Sequence, residues 1–234
     1  VLTVNGTLTV GTSTIQFAAT NSDGTINVNN LPYNSLRISG ADTHVLTGNQ
    51  TSSNAITGNV TIDSGATLDS VAGSSYAISV AGSWSNNGTF LPRSGTVTFN
   101  GSSSQTITSG GSAFASLTIA NTGTTGTASD DVIPTDALTN NDGLTLTSGQ
   151  LKLSTNNPDI SVAGAMTIGS SGIVTKGTGT FTFNGTTVAT YTDSSSAPQN
   201  LGSVTLNKTD TSAPSTNNKL TLASSMTVDT LTID

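Results

Sequence analysis

Short strings of alternating apolar and polar residues return along this chain about eighty residues apart, and a repeat of that length limits the possible folds before composition is considered. The first marker is Thr14-Ile15-Gln16-Phe17, Thr96-Val97-Thr98-Phe99 and Thr180-Phe181-Thr182-Phe183, each followed by a polar stretch containing Asn and Gly. The second follows at matching distance as Ser35-Leu36-Arg37-Ile38, Ser116-Leu117-Thr118-Ile119 and Ser203-Val204-Thr205-Leu206. A third is Leu144-Thr145-Leu146-Thr147-Ser148-Gly149, with Val60-Thr61-Ile62-Asp63-Ser64-Gly65 upstream and Leu220-Thr221-Leu222-Ala223-Ser224-Ser225 downstream. Between repeats lie Val80-Ala81-Gly82 and Val162-Ala163-Gly164, 82 residues apart (162 − 80), with Val4-Asn5-Gly6 as an earlier counterpart. This period gives modules of about 1–81, 82–163 and 164–234, read as one continuous domain over 1–234.

A two-residue period places alternate side chains on opposite sides of a strand, and the Gly, Asn, Asp and Ser clusters between strings mark turns. Short strands at this spacing suit either packed sandwiches or a solenoid. A sandwich of this size needs a heavier aromatic core than six Phe, three Tyr and one Trp supply. In a solenoid each coil hydrogen-bonds to the next, so a narrow interior suffices, and Asn and Gly serve the sharp corners. The predicted fold is therefore all-β: a single-stranded right-handed parallel β-helix, or β-solenoid, of about three modules of about eighty residues. The handedness follows the general preference for right-handed crossovers. With coils of roughly 20 to 30 residues stacked at about 4.8 Å, about nine coils make a rod on the order of 45 Å long.

Composition agrees with a thin core. Hydrophobic residues make up 33% and charged residues 8%, yet Val97-Thr98-Phe99 and Leu144-Thr145-Leu146 show the apolar supply concentrated in strands. Glu is absent, and Thr, Ser, Asn and Gly replace the good helix formers, so almost no α-helix is expected. The formal charge of −7 argues against nucleic acid, which demands a basic face. Cys is absent, which removes disulfides, thiolate metal sites and cysteine nucleophiles. No apolar run reaches bilayer-spanning length and no basic segment precedes one at Val1, so the expectation is a soluble chain without membrane insertion, either mature or excised from something longer.

No residue pattern announces catalysis, a cofactor or a metal, and the expectation is that the chain is not an enzyme. His44, the single histidine, is read as a surface turn residue. Asp130, Asp131 and Asp136 lie close in sequence, with Arg93 and Lys152 elsewhere, as in carbohydrate-active β-helices that use carboxylates beside Arg or Lys. The lack of Glu and of aromatic residues for stacking sugars argues against that use. Asn21-Ser22-Asp23-Gly24 and Asn141-Asp142-Gly143 offer oxygen atoms but lack calcium-loop spacing, and read as Asx turns. Thr-x-Thr pairs at Thr7/Thr9, Thr96/Thr98, Thr106/Thr108, Thr145/Thr147, Thr180/Thr182 and Thr230/Thr232 resemble the Thr rows of ice-binding solenoids, but those rows require a short, constant coil, and the irregular spacing here reads as β-propensity on solvated faces. Asn-x-Ser/Thr sequons stand at Asn5, Asn49, Asn59, Asn87, Asn100, Asn184 and Asn207.

Segments such as Gly95-Thr96-Val97-Thr98-Phe99-Asn100-Gly101 and Ser116-Leu117-Thr118-Ile119-Ala120-Asn121 carry a resemblance that covers essentially the whole chain. It resembles the Ser/Thr/Gly/Asn-rich β-helical repeat regions of large bacterial secreted and cell-surface proteins, of the filamentous-haemagglutinin and autotransporter adhesin type. That resemblance implies an extracellular or cell-surface setting and an adhesive role, with surface glycans as possible partners.

Solenoids end in polar caps, because a bare last coil presents an apolar cross-section and unpaired strand edges. Neither end of this chain carries a visible cap. The third module stops before the equivalent of Asp159-Ile160-Ser161-Val162-Ala163-Gly164, and Val1-Leu2-Thr3-Val4-Asn5-Gly6 supplies that piece. The expected partner is therefore a second copy of the chain, joined head to tail into a surface filament or matrix fibre through Val1, Leu2 and Val4 on one side and Val228, Leu231 and Ile233 on the other. The alternatives are a fragment cut from a longer solenoid, such as the stalk of a giant adhesin, and less directly a carbohydrate-active or ice-binding β-helix.

Overall fold

A computed structural model describes Thr9 and residues 11–19, 25–210 and 217–234. Every paired strand in it is parallel, and the chain winds into a β-solenoid of about nine turns. Two single-turn 3-10 segments, Ser52–Asn54 and Ala128–Asp130, are the helical content among the described residues.

Each turn crosses three faces. The first face stacks Thr14–Ala19, Ser35–Gly40, Val60–Ile62, Trp84–Asn86, Gln105–Thr108 and Asp131–Pro134. It continues through the second halves of two long strands, Leu144–Lys152 and Met166–Thr175. The second face carries Thr25–Val28, Thr43–Leu46, Thr67–Asp69 and Thr89–Leu91, then Leu138–Asn140, Ile160–Val162, Thr180–Phe183, Ser203–Leu206 and Thr230–Ile233. Ser112, whose hydroxyl accepts from the Phe90 N–H at 3.1 Å, and Phe114, bridged to Asn140, link those two runs. The third face holds Ile78–Val80, Thr96–Phe99, Ser116–Ala120, the first halves of the two long strands, Ala189–Asp193 and Leu220–Leu222. The two long strands bend around the corner from third face to first, with a register shift between Leu146 and Ser148 that marks the bulge.

Alternation does what the sequence pattern requires. In Thr96–Phe99 the burial pattern runs outward, inward, outward, inward, and stacking in register converts this into continuous interior ladders. Leu36, Val60, Trp84 and Ile107 lie above one another, as do Val97, Leu117, Leu144, Met166 and Tyr191. One core cluster runs from Phe17 to Val204. Trp84, Phe90 and Phe114 meet in the core with ring centroids 4.9–6.0 Å apart.

Turn length varies and strand register does not. Partners are separated by 19 residues (Val132 to Leu151) at one place and 31 (Tyr191 to Leu222) at another. The excess is taken up at corners, so the strands still meet.

The structure also shows what the eighty-residue repeat is. Within each module the first two markers are stacked partners in one register, Thr14 on Ser35, Thr96 on Ser116 and Thr180 on Ser203. They occupy the first, third and second faces in turn. From Thr14 the chain completes three turns and crosses two further faces to reach Thr96, and it does the same again to reach Thr180. The third marker needs a correction. Val60 lies on Leu36 and Leu144 on Leu117, but it is Leu231 that lies on Val204, so Leu231-Thr232-Ile233 and not Leu220-Thr221-Leu222 is the third copy. The local string Leu-Thr-Leu misled because any strand of this chain satisfies it.

Corner glycines are set by the neighbouring coil. Gly110 has φ +60°, and a Cβ there would stand 2.2 Å from the Asn86 carbonyl oxygen of the coil beneath, whereas Gly65 has φ +83° with open space around it. Gly65→Ala should therefore cost about 1 kcal/mol from backbone strain alone, and Gly110→Ala about 3 kcal/mol or more, because its contact is backbone that cannot move without shifting a coil. Urea unfolding followed through the single tryptophan, Trp84, checks this, and equal costs at the two positions would contradict the packing argument.

Candidate functional site

Of the carboxylates flagged by the sequence, Asp136 and Asp130 hold turns and Asp131 pairs between strands. Asp136 accepts from the Ser109 N–H at 2.8 Å, the Ser109 hydroxyl at 2.9 Å and the Gly110 N–H at 2.8 Å. Asp130, fully buried, accepts from the Gly126 N–H at 3.0 Å through one oxygen, and its other oxygen has no partner. Asp131 is buried and paired with Lys152 at 2.6 Å, with Gln150 donating to its second oxygen. Arg93 lies on another coil, where it forms a bidentate pair with Asp69 at 2.9 and 2.6 Å. The structure thus brings Asp131 and Lys152 together as an ion pair, while Asp130, Asp136 and Arg93 make their contacts elsewhere, and the five do not converge on one site. Among the described residues no group of three or more His, Asp or Glu side chains is arranged to hold a metal ion. Asn21-Ser22-Asp23-Gly24 lies outside the described residues, and in the other turn Asp142 accepts from the Ser116 hydroxyl at 3.1 Å.

His44 is not a surface turn residue. It sits inside the strand Thr43–Leu46, fully buried, because alternation turns residues 44 and 46 inward and register stacks it between Ile26 and Leu68. Its Nδ1 faces two carbonyl oxygens, of Asp42 at 3.1 Å and Thr67 at 3.3 Å, which fixes the proton there and leaves Nε2 buried without a partner. Of the sequons, Asn49, Asn59, Asn87, Asn100 and Asn207 are exposed and Asn184 is half-buried, with its amide nitrogen donating to Ser161 at 2.7 Å; Asn5 lies outside the described residues.

The Thr-x-Thr pairs, irregular in sequence, are regular in space. Outward residues form one ladder, Ser79, Thr98, Thr118, Thr145, Thr167 and Thr192, on the third face. A second, Thr139, Ser161, Thr182, Thr205 and Thr232, runs along the second face. There Thr180, Ser203 and Thr230 add a parallel row, making an array two hydroxyls wide over three coils. Loop length was the wrong guide, since corners absorb it.

Among the described residues, apolar side chains of the core stand uncovered at the C-terminal end of the rod. Leu220–Leu222 closes the third face and Thr230–Ile233 the second, and each pairs on one edge only among the described residues. Leu231 and Ile233 point the same way as Val204 and Leu206 beneath them, which is inward, yet Leu231 is 57% and Ile233 70% exposed against 1% for Val204. Leu222 is 55% exposed, and Leu220, Met226 and Val228 are half-covered. These six side chains are the cross-section of the core. Of the expected interface residues, Val228, Leu231 and Ile233 are therefore here, while Val1, Leu2 and Val4 lie outside the described residues.

Charge at this end is tied down from below. Asp229 pairs with Lys176 and accepts from the Asn200 amide at 2.9 Å, and these hydrogen bonds hold its carboxyl below the usual range. Asp193 is pushed up by burial, but hydrogen bonds from Ser195, Gln199 and Tyr191 outweigh that and lower it on balance. Lys208 is buried, with its ammonium held by the Ala163 and Asn184 carbonyls of two stacked turns, and burial pushes its pKa down.

Asp69 offers the cleanest acid-limb test. Hydrogen bonding from Arg93 lowers its pKa, burial opposes this, and the Val71 N–H at 2.7 Å adds to the lowering. A carboxylate lowered in the folded state stabilises it above the unfolded value of about 3.9, and that contribution is lost as pH falls through the folded value. Asp69→Asn should be less stable than wild type at pH 7, with the gap narrowing below about pH 4. Thermal melts across pH 2.5–7 measure it; a gap that stays constant with pH would refute the assignment.

Comparison with protein-family models, curated proteins and solved structures returned no match.

Proposed function

We propose that this chain is an extracellular structural protein, a β-solenoid rod that joins end to end with further copies of itself into a surface filament or matrix fibre. The observation that carries this reading is the uncovered core cross-section at the C-terminal end, where inward-pointing Leu231 and Ile233 stand exposed above a buried Val204 and a half-buried Leu206. Burying one such side chain stabilises by about 1.5–3 kcal/mol, and the unpaired strand edges beside it add backbone hydrogen bonds. The extracellular placement rests on the Ser/Thr/Gly/Asn-rich, cysteine-free sequence and its resemblance to bacterial surface repeats. Adhesion or matrix formation is the biological role that fits a fibre of this kind. A stalk segment of a giant adhesin is the same rod with its end covered by its own longer chain.

Sedimentation velocity and negative-stain imaging over a wide concentration range separate the two. The 234-residue chain should show concentration-dependent growth along one axis. The double variant Leu231→Asp/Ile233→Asp should remain monomeric, with Trp84 emission unchanged and stability within about 0.5 kcal/mol, since both positions are exposed in the single rod. A wild-type chain that stays monomeric at the highest concentration defeats the fibre.

The two-wide hydroxyl array on the second face favours a second reading, in which an ordered Thr lattice organises water at an ice surface. A thermal-hysteresis assay tests it, with Thr182→Leu/Thr205→Leu expected to reduce any activity; no hysteresis in the wild type removes the reading.

A further inference from the structure

Where the chain turns from the third face to the first, three polar side chains are buried in the rod: Gln105, Asn121 and Asp130. The two amides are saturated. Asn121 Nδ2 donates to the Ser103 carbonyl at 2.8 Å and to Gln105 Oε1 at 3.0 Å, and its Oδ1 accepts from the Gly123 N–H at 2.8 Å. Gln105 Nε2 donates to the carbonyls of Val80 at 3.0 Å and Gly82 at 2.6 Å. Every amide N–H of this pair is therefore in use. Asp130 differs, because only one of its oxygens is satisfied, by the Gly126 N–H at 3.0 Å, while Oδ1 is buried without a partner. A desolvated carboxylate oxygen facing neither a donor nor a cation is strongly unfavourable.

The chain has six Lys and Arg, and none of them pairs with Asp130. Arg37 is on Asp63, Arg93 on Asp69, Lys152 on Asp131 and Lys176 on Asp229. Lys208 holds the carbonyls of Ala163 and Asn184, and Lys219 precedes the last strand of the third face, Leu220–Leu222, at the C-terminal end of the rod. Asp130, Asp131 and Lys152 together carry a formal charge of −1 (−1 − 1 + 1). The backbone around Asp130 is rich in oxygen. A Cβ on Gly149 would stand 3.1 Å from the carbonyl oxygens of both Asn121 and Asp130, and one on Gly123 would stand 2.2 Å from that of Ser129, so these three carbonyls crowd the same corner.

We infer that Asp130 Oδ1 is the anionic ligand of a calcium site completed by backbone carbonyls of this corner. A buried negative charge among oxygen atoms, with the neighbouring side-chain donors already used, calls for a hard cation. Ca²⁺ accepts roughly six to eight oxygens in irregular geometry, backbone carbonyls included, whereas Mg²⁺ demands a near-ideal octahedron and keeps its water. Such a site needs no cluster of acidic side chains. A single carboxylate makes it weak, with a dissociation constant of about 10⁻⁴–10⁻³ M, the range of extracellular modules. The ion would fasten the turn around Gly126 to the strand bend at Ser148 and Gly149, where the Ser148 hydroxyl already donates to the Asn121 carbonyl at 2.9 Å. The site is independent of end-to-end association.

Thermal melts of the chelator-treated chain test the site. Adding CaCl2 to about 10 mM should raise Tm by about 3–10 °C above the value in equimolar MgCl2 or in NaCl at matched ionic strength. Asp130→Asn keeps the shape of the side chain and removes its charge, so it should fold with Trp84 emission unchanged and lose the calcium-specific rise. Asp63→Asn, which removes a surface carboxylate paired with Arg37, should keep that rise. Equilibrium dialysis with radiolabelled calcium should find one ion per chain in the wild type and in Asp63→Asn, and none in Asp130→Asn. A wild type that binds no calcium and melts alike in all three salts overturns the site, whether or not the variant folds. A rise given equally by NaCl and lost in Asp130→Asn overturns calcium as the ion. Calcium binding that persists in Asp130→Asn overturns Asp130 as the ligand.

Discussion

Everything in this rod depends on parallel strands meeting their neighbours in register across successive coils. Each coil satisfies the backbone of the next and covers the apolar edge of the one before, so neither hydrogen bonding nor burial is complete within a single turn. That is how a chain with 33% hydrophobic residues keeps an ordered core. Two inward residues per strand are enough when they continue as ladders, and the outward position between them is free to be Thr. The interior is narrow enough that a small aromatic cluster, Trp84 with Phe90 and Phe114, suffices.

The repeat and the coil have different periods, and this mismatch shapes the surface. A module advances three turns and two further faces, so equivalent motifs appear on the first, third and second faces in succession. The same Thr-over-Ser pairing is made each time, at Thr14 on Ser35, Thr96 on Ser116 and Thr180 on Ser203. No single face therefore inherits all copies of a motif. What does run the length of a face is the outward hydroxyl ladder, which arises from strand alternation and not from the module.

Much of this was legible in the sequence because alternation and turn chemistry act locally. The strand strings and their stacking as coils follow from pattern, and about nine coils from a coil length of roughly 20 to 30 residues; that the first marker of each module lies on the second emerges only in the structure. The remainder was hidden by long-range register. Leu220-Thr221-Leu222 and Leu231-Thr232-Ile233 are equally good strands, and only the partner, Tyr191 for Leu222 and Val204 for Leu231, tells them apart. His44 looked like a turn residue by type, while its burial comes from its phase between Val45 and Thr43 in a strand whose neighbours are Ile26 and Leu68. The Thr ladders looked irregular because sequence distance counts the corners. Asp136 and Arg93 resembled candidates for chemistry, and their structural roles needed Ser109, Gly110 and Asp69 from other coils.

The end-to-end association proposed for this rod takes its direction from the way the strands are wound. Winding the strands into three faces leaves no sheet edge along the sides, and the outer surface is a mixture of hydroxyls, amides and few charges. Edge strands, which are where sheets recruit other chains, exist only at the two ends. At the C-terminal end the apolar cross-section also emerges, as Leu222, Leu231 and Ile233 show. Unpaired backbone edges and uncovered apolar area thus coincide on the axis, so the junction proposed between molecules would use the physics that stacks one coil on the next. Lateral bundling would demand a different interaction, one that the Thr-lined faces do not supply.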